Sequence, residues 1–121
     1  MTDMSKNLPS LKQIREASET LDGRIVATPV LNHVSMKLEL FQHAGSFKAR
    51  GNLLGMDRLD ATQRAAGVIA ASGGNHALAV SWAAQKLGVA ATIIMPRATD
   101  PLRIEGCKAF GSSVLLVDDI A

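Results

Sequence analysis

The sequence contains a single cysteine, Cys107, and no tyrosine, and aromatic residues make up only 3% of its 121 positions. One cysteine excludes a disulfide framework and any multi-cysteine zinc site. So few rings exclude the stacking platforms on which single-stranded nucleic acid is held. No charge dominates: 13 Lys and Arg against 11 Asp and Glu leave a net charge of +2. That excess is too small for a basic patch facing nucleic acid or an anionic membrane. Long apolar runs are missing as well. The longest, around Ala77–Ala84 and Val89–Met95, are far too short to span a bilayer. Met1–Ser10 carries Asp3 and no apolar core, unlike a secretory leader. The three histidines, His33, His43 and His76, have no metal-ligand spacing. What is present is ordinary globular usage, 47% hydrophobic and 20% charged. The length suits one domain and a real core. The expectation is a soluble, cytoplasmic protein with no nucleic-acid, membrane or metal partner.

Hydrophobic spacing divides the chain into two textures. Ser10, with Gln13 three residues on, reads as a capping box. Leu11, Ile14, Ala17 and Leu21 then share one helical face, and Asp22-Gly23 ends that helix. Thr28-Pro29 opens an extended stretch. Val34, Met36, Leu38 and Leu40 alternate with Ser35, Lys37, Glu39 and Phe41, which predicts a strand. After the loop Gln42–Gly45, Ser46 is placed to cap a helix from Phe47 to about Leu59, weakened by Gly51 and Gly55. Asp60 and Gln63 suggest a second, short capped helix.

From Gly67 the pattern becomes strand–helix–strand–helix–strand. Val68–Ala71, Ala90–Met95 and Ser113–Val117 are the apolar runs. Asn75–Leu87, closed by Gly88, and a helix capped by Asp100 with Pro101 at its first position lie between them. Short links and non-alternating strands predict a parallel sheet with right-handed crossovers, covered on both faces. We place a boundary near Gly67, giving residues 1–66 and 67–121.

Two places set small residues directly before a helix: Ala44-Gly45-Ser46-Phe47-Lys48 and Ser72-Gly73-Gly74-Asn75-His76. Each offers free backbone N–H groups and the positive end of a helix dipole, which suits an anion. The second also follows the C-terminal end of a parallel strand, where open α/β sheets bind ligands. A Gly-Gly turn with no ligand fits the same residues. Neither segment is a dinucleotide fingerprint or a P-loop. His76 reads as a first-turn capping partner or as a site residue, Cys107 as a helix-face residue and Trp82 as core.

Lys48 stands out. The dipole and the nearby Arg50 both favour the neutral amine, the form that attacks carbonyls. An ordinary lysine is neutral about once in 2,500 at pH 7. A dipole worth roughly 0.3–1 kcal/mol changes that by less than about tenfold. Burial would have to supply the rest. A Schiff-base lysine is therefore permitted here without being required.

The two segments together carry a resemblance. Gln42-His43-Ala44-Gly45-Ser46-Phe47-Lys48-Ala49-Arg50-Gly51 resembles the lysine motif of the tryptophan-synthase-β-like, fold type II pyridoxal-phosphate enzymes. Ala71-Ser72-Gly73-Gly74-Asn75-His76-Ala77 resembles their asparagine loop, in the right order, and Gly88–Pro96 looks like the next strand of their small domain. The likeness covers nearly all of the chain from Ser10. It implies a partial α/β fold of this type. A three-stranded parallel βαβαβ small domain would follow a helical and extended segment of the large domain.

Gly-Asn-His is similar to the serine/threonine dehydratase and serine racemase branch; cysteine-synthase-like enzymes usually have Gly-Asn-Thr. By that resemblance the cofactor is pyridoxal 5'-phosphate. Lys48 holds it as an internal aldimine and moves the substrate Cα proton, and Phe47 packs beside it. Asn75 bonds its phenolic oxygen. Ser72, Gly73, Gly74 and His76 hold the carboxylate of a small amino-acid substrate. The implied reaction is dehydration and deamination of L-serine or L-threonine to a 2-oxo acid. A racemase of this group would carry a serine where Gly73 stands, so elimination is expected rather than racemisation.

Ala44 stands where threonine is usual, and Pro29–Lys37 looks several residues short. The chain reaches only Ala121, whereas family members are more than twice as long. Their remainder carries the phosphate loop and the partner of the ring nitrogen. The expectation is an N-terminal fragment, inactive alone, that can self-associate through exposed apolar surface. The alternatives are a non-catalytic remnant that binds at most an anion or a partner chain, and a β-replacement enzyme.

Overall fold

The computed structural model describes residues 8–31 and 35–118. Helix α1 (Leu11–Leu21) starts at the expected capping box: Ser10 Oγ accepts from the Gln13 amide, and the Gln13 side chain accepts from the Ser10 amide. Strands β1 (Val30–Leu31) and β2 (Met36–Lys37) form a short antiparallel pair. Two 3-10 turns, Glu39–Phe41 and His43–Gly45, lead to α2 (Lys48–Asp57) and α3 (Ala61–Ala66). Then come β3 (Val68–Ala71), α4 (Asn75–Leu87), β4 (Ala91–Pro96), α5 (Pro101–Ala109) and β5 (Ser113–Val117). The three-stranded sheet is parallel, in the order β3-β4-β5. This is the α/β arrangement expected of the second half.

Helix α4 is the centre of the packing. Ala77, Ala79, Val80, Ser81, Trp82, Ala83 and Ala84 are all buried. Its small side chains let α2 approach from one side, through Ala49, Leu53 and Met56, and the sheet from another. Gly88 ends it in the left-handed conformation at φ 66°, where glycine has no steric penalty. On β4, Ala91, Ile93 and Met95 alternate inward into this core. Trp82 belongs to the core as expected. So does Cys107, whose thiol burial pushes up, away from nucleophilic behaviour.

Four expectations change. The predicted strand through Leu38 and Leu40 exists only at Met36–Lys37, and Val34 lies outside the described residues. The chain instead coils into the turn Glu39–Phe41, because local side chains take over the pairing. Glu39 accepts from Thr28 Oγ1 at 2.7 Å, and the Gln42 amide pairs with both the N–H and the C=O of Val26 at 2.9 Å. Second, Ser46 does not cap α2. Its backbone is extended (φ −161°), the helix opens at Lys48 behind Phe47, and the buried Ser46 Oγ has no hydrogen-bond partner. Third, the apolar stripe of α1 is largely exposed, with only Leu21 buried.

The sheet is likewise covered on one face, not two. The register sets Ala71, Ile94 and Leu115 side by side, with Ile69 nearby, on the face away from the core. Ile69 is 74% exposed and Leu115 54%. Sequential strand order with right-handed crossovers puts α4 and α5 on the same side, which leaves the other bare. Exposed apolar patches of this kind promote association. The chain is expected to bind a hydrophobic dye and to self-associate with concentration, and Ile69→Thr with Leu115→Thr should reduce both. Sedimentation as a monomer at all concentrations, without dye binding, contradicts this.

Candidate active site

The lysine segment reaches α2 through a strained turn. Ala44 (φ 56°) and Gly45 (φ 68°) are both left-handed, which costs the alanine about 1 kcal/mol. The turn is held from two sides. Gln42 ties it to Val26, and His43 stacks on Trp82 of α4 with ring centroids 4.6 Å apart and 14° between the planes. Lys48 is then the first residue of α2, beside the exposed Phe47, with its Nζ 5.2 Å from that ring centroid.

Arg50 does not act on Lys48 as the sequence suggested. Its guanidinium is engaged by Glu39 in two hydrogen bonds, 2.9 Å from Nε and 2.8 Å from Nη2. Thr28 Oγ1 donates to the same carboxylate, and Lys37 Nζ lies 3.8 Å away. Arg50 is therefore a compensated charge that fixes α2 to the preceding turn. The burial that a neutral Lys48 amine would need is also not supplied by the described residues, since Lys48 is exposed.

The second segment lies where the sheet topology predicts, between the C-terminal end of β3 and the start of α4. The Gly74 amide donates to Ser72 Oγ at 3.1 Å. Gly73 sits against α5's approach: a Cβ there would lie 2.7 Å from Thr99 Oγ1. In the first turn of α4 the Ala77 amide donates to the Gly74 carbonyl at 3.1 Å, while the amides of Asn75 and His76 before it have no preceding helical carbonyl and lie at the positive end of the helix.

The two segments meet. A cleft of about 340 Å³ is lined by Phe47, Lys48, Gly51, Asn52 and His76. Thus Phe47, Lys48 and His76 share one wall of space, although 28 positions separate the lysine from the histidine. Ser72, Gly73, Gly74 and Asn75 adjoin it in sequence but do not line it. Two other clefts, of about 380 and 390 Å³, follow the uncovered stripe of α1; Arg50 reaches the first, and neither holds Phe47, Lys48 or any residue of the asparagine loop.

Sequence reasoning missed two residues. Asn52 Nδ2 bonds the Lys48 carbonyl at 2.8 Å and contacts His76 Nδ1 at 3.3 Å. Arg103, from α5, donates to Asn75 Oδ1 at 3.0 Å. That leaves the Asn75 amide nitrogen without a partner among the described residues, hence a free donor. Neither contact has a local sequence signal. Among the described residues no cluster of three His, Cys, Asp or Glu could hold a metal, and no helix is long and apolar enough to cross a membrane.

This geometry can be set beside known proteins. The family model described as "Pyridoxal-phosphate dependent enzyme" matches residues 23–120. The chain is 38% identical over 122 residues to phenylserine dehydratase of Ralstonia pickettii, covering 93% of this chain and 37% of the relative. It is 37% identical over 127 residues to serine racemase of Schizosaccharomyces pombe, covering 95% and 39%. The solved structure of maize serine racemase superposes with a TM-score of 0.79 at 36% identity, covering 88% of this chain and 36% of that one. The chain belongs to the pyridoxal-phosphate-dependent enzyme family, in its fold type II, and spans less than two-fifths of the length of these relatives.

The Glu39 cluster makes a pH prediction. Hydrogen bonds from Arg50, and then from Thr28, hold the Glu39 carboxyl down to about 2 against an ordinary 4.5. A lowered carboxylate pKa stabilises the fold above the unfolded value and loses that contribution as pH falls from 4.5 through 2. The shift corresponds to at most about 3 kcal/mol, less the screening at partly exposed partners. Glu39→Gln is expected to lower stability by about 1–3 kcal/mol at pH 7. Denaturant titrations should show that gap closing by about pH 2. A gap that stays constant with pH contradicts the assignment.

Proposed function

We propose that this chain is the N-terminal part of an ammonia-lyase that dehydrates and deaminates L-serine or L-threonine to a 2-oxo acid. Residues 1–66 would supply the lysine motif and residues 67–121 the asparagine loop. The observation that carries the reading is the shared cleft, with Lys48 and Phe47 on one helix start and His76 on another. The site's donors also fit pyridoxal 5'-phosphate: an exposed lysine amine for its aldehyde, the free Asn75 amide for its phenolic oxygen, and an apolar ring at Phe47. When bound, that group withdraws electrons from the substrate Cα and so acidifies its proton.

The protein's own residues would do the rest. Lys48 would hold the cofactor through Nζ, and once the substrate amine displaces that nitrogen the freed Nζ would be the base for the Cα proton. Arg103 holds the Asn75 oxygen, so that the amide nitrogen would be the atom left to donate to the cofactor. Ser72, Gly73, Gly74 and His76, at the positive end of α4, receive the substrate carboxylate. Gly73 favours elimination over racemisation, because it brings no hydroxyl to the second face of the substrate. The hydroxyl of its neighbour Ser72 accepts from the Gly74 amide, which directs that side chain along its own loop. Product analysis of a full-length enzyme, pyruvate against D-serine from L-serine, checks this part. The proposed setting is cytoplasmic, with self-association through the bare sheet face.

The direct test is to mix the 121-residue chain with pyridoxal 5'-phosphate, reduce with borohydride, and map the added mass by peptide mass spectrometry. Lys48 is expected to be labelled well ahead of the other lysines, and Lys48→Ala to lose that label. The same chain should release no 2-oxo acid at ordinary enzyme rates, since one wall of a site does not preorganise the transition state. Even labelling across all lysines contradicts the reading and favours a remnant without cofactor.

A further inference from the structure

The Asn52 contacts carry more than they first show. Asn52 sits one turn beyond Lys48 on α2 and lines the cleft beside His76. Its side-chain atom 2.8 Å from the Lys48 carbonyl oxygen has to be the amide nitrogen, because a carbonyl oxygen there would face another acceptor. That nitrogen is also the one 3.3 Å from His76 Nδ1. It has two hydrogens and no lone pair to offer, so one hydrogen goes to Lys48 and the other to the ring. His76 Nδ1 must then accept. A neutral imidazole that accepts at Nδ1 carries its proton on Nε2.

We infer that Asn52 is a positioning residue: it ties the Lys48 turn of α2 to the first turn of α4 and fixes His76 as the Nε2–H tautomer. One ring nitrogen is thereby committed to the protein, and the other becomes the donor available to a ligand. A donor with a set direction at the positive end of a helix suits a carboxylate. In this sense the inference rests on the function proposed above for His76. The tautomer itself depends only on the two contacts of Asn52. An aspartate at the same position would reverse the sense of the contact, since a carboxylate accepts only and would call the ring proton to Nδ1.

The experiment reads His76 directly in the uniformly 15N-labelled 121-residue chain, with no cofactor or substrate. The pH is kept near 8.5, about two units above the ordinary imidazole value. His76 is assigned through its ring proton–nitrogen correlations. The expected result is a bare Nδ1 and a protonated Nε2, essentially one tautomer. Asn52→Leu should let the other tautomer appear as a mixture. Asn52→Asp should move the proton predominantly to Nδ1, and Asn52→Gln should keep the original form at least in part. The backbone amide spectrum of each variant confirms an intact fold. If Asn52→Leu does not fold, the aspartate and glutamine variants still decide. A protonated Nδ1 in the unaltered chain, or the same tautomer ratio in every folded variant, overturns the inference. Failure of cofactor trapping at Lys48 with the tautomer pattern intact would count against the proposed function and leave the Asn52 assignment standing.

Discussion

Everything in the candidate site depends on the packing of α2 against α4. Helix α2 has ten residues, two of them the glycines Gly51 and Gly55, and glycine costs about 1 kcal/mol each in a helix interior. A helix this short is marginal in water on its own. Its stability has to come from Ala49, Leu53 and Met56, buried against the small side chains of α4. The same contact sets where the helix starts fall. Lys48 is the first residue of α2, and His76 the second of α4. Close packing of the two helices therefore brings two chemical segments to one cleft that neither could form alone.

Polar contacts then fix what the apolar packing brings together. Glu39 and Arg50 lock the approach to Lys48, and Arg24 grips Asp57 near the far end of α2 with hydrogen bonds of 2.8 and 3.0 Å. Asn52 and Arg103 hold the start of α4 from its two neighbours, one in α2 and one in α5. These are partly exposed pairs, each apart from the Glu39–Arg50 cluster of modest worth, and their effect is on orientation more than on stability. The faces left open belong to the same picture. The outer sheet face and the stripe of α1 are apolar but bare, in a chain that spans under two-fifths of its relatives.

Much of this was legible in the sequence because its signals are local. The capping boxes at Ser10 and Asp60, the left-handed Gly88 and the Asp100-Pro101 start each specify their own turn, and the βαβαβ half follows from them. The two motifs were legible as well, by resemblance, and their family is the one the chain belongs to. Local patterns failed where distant side chains decide. The alternation from Val34 to Phe41 reads as a strand, but Thr28 and Arg50 draw Glu39 into a turn that no period-two pattern encodes. Arg50 looked like a free charge until its partner, 11 positions away, was in place. Asn52–His76 and Arg103–Asn75 span 24 and 28 positions, so only the assembled fold reveals them.

If this packing governs the site, α2 and α4 form one cooperative unit across the two halves of the chain. Native-state hydrogen exchange measures this directly, because amides that open together share one free energy. The slowest amides of α2, around Leu53 and Met56, are expected to exchange with the same opening free energy as those of α4 around Val80 and Ala83. Both are expected to fall together when denaturant is added. Fast, denaturant-independent exchange throughout α2, with α4 still protected, would contradict it: the lysine and the histidine would then not share a lasting site.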